Sequence, residues 1–428
     1  MRRILLAGTA GTLLAVLAAD LAAPLAAGVL SGNCRAANQP AATLLVPYFE
    51  VDLDNPGGVN TMLAVNNAAA RPAVARVVMW TDWGIPTLAF DVYLTGYDVQ
   101  TLNLRDLFAG KLPLTGPAIS PSGALSQPGG EFPGCDTHLV SIFEGAPRAE
   151  GTGPGGGIDA AGVAYLRAAH GGRPLPGTAP ARCAASPRPS GGPEAGVVIG
   201  YVTVDSVSRC TGSTVATLEN TPADAPYFAP RGSGLANDDN VLWGDAVVLD
   251  PRAGAAISQP AVAIVADPDF LRAGDYTFYG RYLGFDGRDE RVPLSSLYHA
   301  RFLDDPASAT TTDLVVWRDN RQAQATAQPC GANPVWSPLG ELQLLLFDEQ
   351  ENPTQVQHSN AFPLTTQRVR IGGTSIPAAQ PFGWVLLDLW HANATHAQAW
   401  VGSWVTTAGR CRFGHEALRA DDLCSFGP

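Results

Sequence analysis

The chain has 428 residues, of which 46% are hydrophobic and 15% charged, so it can bury a sizeable core and is not of a disordered class. Its 46 glycines and 35 prolines predict many turns and few long helices. The formal net charge of −12 argues against a nucleic-acid partner, because phosphate binding requires a surplus of Lys and Arg.

Residues 1–33 have the organisation of a secretory signal peptide. Met1-Arg2-Arg3 is a short basic region, and an apolar run follows it from residue 4 to residue 19. Asp20 interrupts this run before it reaches the roughly 20 residues that a membrane span requires. We therefore expect a mature protein without a transmembrane span that is secreted, periplasmic or located at the cell surface of a bacterial envelope.

From Thr43 onward, short apolar runs with a period of two alternate with turns rich in Gly, Pro, Asn and Asp, which is typical of β-strands. Closely spaced strands of this kind favour a β-sandwich over a fold that alternates strands and helices. The first five strands are predicted at 43–51, 61–65, 74–80, 89–94 and 99–104.

Residues 111–195 interrupt this pattern as a long Gly- and Pro-rich insertion. A single short helix is predicted within it at 158–170, with Asp159 as its N-cap and Gly171 as its stop signal. Strand patterns return at 196–207, 241–249 and 259–266.

The second half of the chain repeats the order of the first. Five short segments match, in the same order: 296–302 with 43–49, 312–316 with 61–65, 342–347 with 74–80, 369–371 with 99–104, and 383–388 with 200–205. The alternative is that the strands of any sandwich resemble one another. The repeat predicts an all-β chain of two tandem seven-strand immunoglobulin-like β-sandwiches. The first predicted sandwich spans residues 34–251 and contains the insertion. A linker with extra strands follows at residues 252–295, and the second sandwich spans residues 296–428. The Cys…Trp…Cys spacing of true immunoglobulin domains is absent.

The seven cysteines fit an oxidising compartment, and none has the C-x-x-C spacing of a zinc ribbon or a thioredoxin-type site. They are Cys34, Cys135, Cys183, Cys210, Cys330, Cys411 and Cys424. Apart from Cys34, three lie in each half, so either one bridge crosses the halves, or each half keeps a free thiol, or Cys34 completes the first set. We expect the last arrangement, with two bridges in the first half and Cys424 joined to Cys330 or Cys411 in the second.

The sequence contains few catalytic signatures. There is no G-x-S-x-G nucleophile elbow, no H-E-x-x-H zinc motif and no phosphate-binding P-loop. This favours a protein that is not an enzyme. The alternative is a secreted hydrolase whose site lies in the insertion and uses Asp136, His138 and Glu144.

Acidic clusters offer oxygen ligands that would suit calcium, the one cofactor for which the sequence has candidates. The candidates are Asp238, Asp239, Asp286, Asp289 and Glu290. The alternative interpretation is an ordinary solvated turn at each cluster.

Four tryptophans near the C-terminus could stack on sugar rings if they are exposed: Trp384, Trp390, Trp400 and Trp404. The alternative is that they form part of the core between two sheets.

The expected function is therefore a secreted, non-enzymatic β-sandwich protein with a binding or surface-structural role. A carbohydrate-binding or adhesive module is the first alternative, and the hydrolase is the second. The expected partners are a glycan, an envelope protein, or further copies of the chain joined through exposed edge strands.

Overall fold

The computed structural model describes residues 39–113, 115, 132, 135, 140–142, 157–188, 195–210, 227–269, 271, 274–283, 288–319, 326–332, 334–356, 362–390, 397–408 and 411–419. All of them belong to one compact unit, Ala36–Asp421. The unit is mostly β-strand, and its helices are short: α1 (Leu104–Phe108), α2 (Ala160–His170) and α3 (Gly280–Leu283). The prediction of a β-rich chain with few helices is confirmed. No helix in these residues is long and apolar enough to cross a membrane.

Two antiparallel sheets are formed by the first part of the chain. The six-stranded sheet has the order β11-β1-β8-β3-β4-β6. Its strands are β1 (Thr43–Asp52), β3 (Ala73–Thr81), β4 (Pro86–Leu94), β6 (Val140–Ile142), β8 (Val197–Val207) and β11 (Val262–Ile264). The groove sheet, so named for the feature described below, has the order β10-β9-β2-β5. Its strands are β2 (Asn60–Asn67), β5 (Val99–Asn103), β9 (Leu242–Asp250) and β10 (Ala255–Pro260).

Two further antiparallel sheets follow in the second part. The five-stranded sheet has the order β16-β15-β18-β12-β21. Its strands are β12 (Leu297–Leu303), β15 (Leu344–Phe347), β16 (Pro353–Gln355), β18 (Phe382–Asp388) and β21 (Leu418–Arg419). The inner sheet has the order β17-β13-β19-β20, with β13 (Thr310–Arg318), β17 (Thr366–Arg370), β19 (Ala399–Thr407) and β20 (Cys411–Glu416). A small sheet pairs β7 (Arg182–Cys183) with β14 (Gln328–Pro329).

The two sheet pairs have the same strand order. The run β1-β8-β3-β4 corresponds to β12-β18-β15-β16, and β10-β9-β2-β5 corresponds to β20-β19-β13-β17. Each of the five segments matched in the sequence occupies the same position as its counterpart. For example, β2 lies between β9 and β5, and β13 lies between β19 and β17.

Two glycines show that the correspondence extends to side-chain packing. Gly200 of β8 lies opposite Phe49 of β1, and Gly383 of β18 lies opposite Phe302 of β12. A Cβ atom on Gly200 would collide with a carbonyl of β3 and the Phe49 ring, and one on Gly383 would meet a carbonyl of β15 and the Phe302 ring. The same close approach therefore requires glycine at both positions.

The six-stranded sheet lies at the centre of the molecule. Its strand β1 contacts β2 and β9 of the groove sheet, and also β13 and β17 of the inner sheet. Every residue of β1, β3 and β4 is buried. Strands β12 and β18 instead alternate between buried and partly exposed residues, which indicates a sheet with one open face.

The predicted helix of the insertion is confirmed. The Asp159 side chain accepts a 2.7 Å hydrogen bond from the Gly162 amide, and α2 ends at His170 with Gly171 as its C-cap. The cap satisfies one of the amides that a helix N-terminus leaves without an intrahelical partner.

The prediction that disulfides stay within their own halves is wrong. Cys135 bonds to Cys210 within the first half, but Cys183 bonds to Cys330 across the halves. The cause is the pairing of β7 with β14, which places the end of the insertion against the second half. Cys330 is therefore excluded as the partner of Cys424. Cys34, Cys424 and the side chain of Cys411 lie outside the described residues.

Candidate binding groove

A groove of about 650 Å³ lies on the outward face of the groove sheet. Side chains alternate between the two faces of a strand, so Leu63 of β2 points into the core and its neighbour Met62 points outward. The strand register places Met62 opposite Val247 and Ala64 opposite Asp245 on β9. The groove volume is within the range of about 300–1,000 Å³ typical of small-ligand sites.

The groove lining is mainly apolar, with polar groups along one side. The apolar residues on the outward face of the strands are Met62, Ala64 and Val247, and Leu107, Leu112 and Pro113 line the end of the groove near α1. The polar ones on β5 are Gln100, Thr101 and Asn103. A mainly apolar lining with a few polar groups is common among small-ligand sites.

Helix α1 closes one end of the groove and is held firmly in place. The Asn103 side chain caps it by accepting a 3.1 Å hydrogen bond from the Arg105 amide. The Arg105 guanidinium donates to the carbonyls of Pro56, Gly58 and Val59 at 2.6–2.9 Å. These contacts fix α1 against the loop that precedes β2.

Three of the described lining residues have charged side chains, and two of these pair with each other. The Lys111 ammonium lies 3.2 Å from the Asp106 carboxylate, and Lys111 is the only lysine in the sequence. The Asp245 carboxylate makes no hydrogen bond or ion pair with any described residue. Trp243, two residues earlier on the same face of β9, is 50% exposed.

Two of the four predicted tryptophans belong to the core. Trp400 and Trp404 are only 2% and 1% exposed, and Trp404 packs edge-on against Tyr48 at 5.4 Å. Buried rings present no face to a sugar, so these two cannot act as stacking platforms. They are buried because the inner sheet is covered by the six-stranded sheet.

The other two, Trp384 and Trp390, are partly exposed. Trp384 lies parallel to Phe347 at 3.8 Å and is stacked with His299 at 5.0 Å. These rings come from the strands on either side of β18, so both faces of Trp384 are covered. Trp243 is the only exposed tryptophan of the nine, and the sequence analysis did not single it out.

Three of the five acidic candidates occupy ion pairs. Asp239 lies 2.8 Å from Arg71, whereas Asp238 and Asp289 lie 3.8 and 3.4 Å from the Arg291 guanidinium. Glu290 accepts a 3.1 Å hydrogen bond from a backbone amide, and Asp286 lies outside the described residues. Within the described ranges, no group of three or more His, Cys, Asp or Glu side chains could hold a metal ion.

Asp238 has an unusual protonation equilibrium. The pKa of Asp238 is raised to about 7, mainly because the group is buried and, to a smaller extent, because it forms a hydrogen bond with Glu290. Asp238 is therefore engaged by Glu290 and Arg291 within the protein.

A buried polar network was not predicted from the sequence. Asp205 of β8 accepts hydrogen bonds from Thr43 at 2.5 Å, Tyr227 at 2.8 Å and Tyr279 at 2.9 Å. The guanidinium of Arg291 lies 3.8 Å away. Burial raises the pKa of Asp205, and Arg291 opposes that rise. Because these groups satisfy one another inside the core, we assign them a structural role.

The candidate hydrolase residues Asp136, His138 and Glu144 lie outside the described residues. The groove itself was also missed by the sequence analysis, although one signal was available. A polar residue at an outward strand position, such as Asp245 between Trp243 and Val247, marks a face that is not buried in the core.

Comparison with known proteins identifies no relative that would indicate a role for the groove. No protein-family model matches the chain, and no curated protein matches its sequence.

Proposed function

We propose that this is a secreted or envelope-associated, non-enzymatic protein that binds a ligand in the groove. In this proposal the fold consists of two tandem immunoglobulin-like β-sandwiches that arose by duplication. The shared strand order and the equivalent glycines support the duplication. The two disulfides and the signal-like residues 1–33 support export.

The groove is the observation that carries the binding role. It is lined largely by paired strands and a capped helix, and a site on such rigid elements keeps its shape without a ligand. A preformed site loses little conformational entropy on binding, which favours affinity.

The binding role is tested by filling the groove. The exported protein is incubated with small-molecule extracts and then examined by native mass spectrometry. We expect wild type and Thr354→Arg, on the exposed edge strand β16, to retain ligand and Met62→Arg to lose it. Equal retention by all three proteins would exclude the groove as the site, and retention by none would favour a surface-structural role.

Export is tested separately, by N-terminal sequencing of protein recovered outside the cytoplasm. We expect the first residues to be missing. A mature protein that begins at Met1 would contradict export by a cleaved signal.

A carbohydrate-binding or adhesive role is the second candidate, and exposed Trp243 is the observation that favours it. Its ring shares the outward face of β9 with Asp245, and the strand register places Asn66 of β2 opposite it. Glycan-array binding should fall at least tenfold in Trp243→Ala and remain in Trp390→Ala, which alters a distant, partly exposed tryptophan. Equal binding by the two variants would contradict this role.

A further inference from the structure

We propose that the groove recognises a small ligand with one cationic group, an organic ammonium, attached to an apolar body. This inference rests on the proposed binding role of the groove and names the chemical class of its ligand. The argument starts from Asp245 and the residues that surround it.

The four positions nearest to Asp245 on its own face of the sheet, directly opposite it and two residues away along β9, are occupied by apolar or aromatic side chains, whereas the diagonal positions include Asn66 and Ser258. The register places Ala64 of β2 on one side and Pro260 of β10 on the other. Along β9 the neighbours on the same face are Trp243 and Val247. None of these four side chains can donate a hydrogen bond to the carboxylate except the Trp243 indole, and no described residue does so.

A carboxylate among apolar groups attracts a cation strongly. Apolar neighbours lower the effective dielectric constant, and the attraction between opposite charges rises in proportion. Asp245 is only partly exposed to water, and no described side chain donates a hydrogen bond to its carboxylate. A ligand ammonium supplies both the opposite charge and the missing donors.

The other charged side chains of the groove do not neutralise Asp245. Asp106 and Lys111 neutralise each other, so the described lining residues have a net charge of −1 that is located on Asp245. The exposed ring of Trp243 adds a second feature that favours a cation, because the face of an indole attracts ammonium groups.

The apolar part of the groove determines the length of the ligand's apolar portion. Val247 and Met62 continue the groove from Asp245 toward Leu107 and Leu112 of the α1 end. From Asp245 to Val247 the strand rises about 7 Å, at about 3.3 Å per residue, and Leu107 and Leu112 extend the apolar lining beyond Val247. An eight-carbon chain is long enough to pass Val247 and reach these residues.

The test compares three ligands with the same chain and different head groups, namely octylammonium, 1-octanol and octanoate, by calorimetry at pH 7. We expect wild type to bind octylammonium at least tenfold more tightly than 1-octanol, and octanoate most weakly. Asp245→Asn should remove the preference for octylammonium, and Asp245→Glu should restore part of it. Asp269→Asn, which removes an exposed carboxylate far along the chain, is the matched control and should behave as wild type.

The outcomes separate this inference from the proposed function. Equal binding of octylammonium and 1-octanol, abolished by Met62→Arg, would overturn the cationic ligand and leave the groove as a binding site. An unchanged preference in Asp245→Asn would also overturn it. Binding of none of the three ligands by a wild-type protein that gives a cooperative thermal transition would overturn it, and glycan binding in the same groove would then identify the alternative ligand class.

Discussion

The six-stranded and five-stranded sheets occupy equivalent positions in the two halves, but their environments differ. Each has a stacked aromatic pair at the same place in the strand order. Trp80 and Tyr201 stack at 5.6 Å between β3 and β8, and Phe347 and Trp384 stack at 3.8 Å between β15 and β18. The first pair is fully buried, whereas the second is partly exposed.

The difference comes from segments outside the sheets. Tyr282 of α3 stacks on Trp80 at 5.6 Å, and Trp317 of the inner sheet meets Tyr201 edge-on at 6.0 Å. In the five-stranded sheet the third ring, His299, comes from the sheet itself. One strand order therefore supports either a sheet buried on both faces or a sheet with one open face, depending on what its connecting segments cover.

The same contrast applies to an equivalent pair of carboxylates. Asp205 accepts hydrogen bonds from three hydroxyl groups and is completely buried. Asp388, its counterpart in the matched segments, is partly exposed and accepts a 3.1 Å hydrogen bond from the Trp390 amide. Burial raises the pKa of both groups.

Replacing the buried Trp80 should have the largest effect on the free energy of unfolding. Trp80→Ala should lower the free energy of unfolding by about 3–5 kcal/mol, because it leaves a large cavity and removes the indole hydrogen bond to Thr203. Trp384→Ala should cost about 1–2 kcal/mol, since part of that ring is already in contact with water. Urea unfolding measures both values, and equal costs would contradict the proposed difference between the sheets.

Substitutions of the two equivalent carboxylates, Asp205 and Asp388, should show the next largest difference in the free energy of unfolding. Asp205→Asn replaces an acceptor by an amide that cannot accept from every hydroxyl around it, at a cost of about 2–3 kcal/mol. Asp388→Asn should change the unfolding free energy by less than about 1 kcal/mol, because water can compensate there. The same urea series measures both, and similar losses would indicate that the open sheet is as tightly packed as the central one.

The pH dependence of stability should report on α2, which helps to cover the six-stranded sheet. Burial lowers the pKa of His170 to about 3, so this group is neutral in the folded protein and takes up a proton on unfolding below its ordinary value of about 6.5. Its contribution is therefore present above pH 6.5 and is lost progressively as the pH falls toward 3. Between pH 7.5 and pH 5 the loss should be about 2 kcal/mol.

The control for this prediction is His170→Gln, which can keep a hydrogen bond to Thr87 and does not titrate. The difference between wild type and variant isolates His170 from other titrating groups such as Asp238. If the two proteins lose the same stability between pH 7.5 and pH 5, His170 is accessible to protons in the folded state.

The smallest effect is expected at the open face of the five-stranded sheet. Leu418 is 72% exposed, so Leu418→Ser should change the unfolding free energy by less than about 0.5 kcal/mol. The measurement should be repeated at two protein concentrations. A loss above about 1.5 kcal/mol that depends on concentration would show that this face is covered by another copy in solution.

The local pattern of the sequence determined the strands, the short helix and the order of the repeat. The short apolar runs TMLAV and TDLVV mark the two central strands β2 and β13, and Asp159 marks the start of α2. These features depend on neighbouring residues along the chain, and periodicity and capping follow directly from backbone geometry. They were therefore accessible without a structure.

Only the tertiary structure decided which faces are covered and which distant residues meet. Cys183 and Cys330 are separated by 147 positions, and the groove joins Met62 to Val247 across two paired strands. Trp400 and Trp404 have the same alternating pattern as a surface strand would, yet they are buried because another sheet packs on them. Periodicity shows that a strand has two faces, but whether each face meets water or another sheet depends on contacts between segments far apart in the chain.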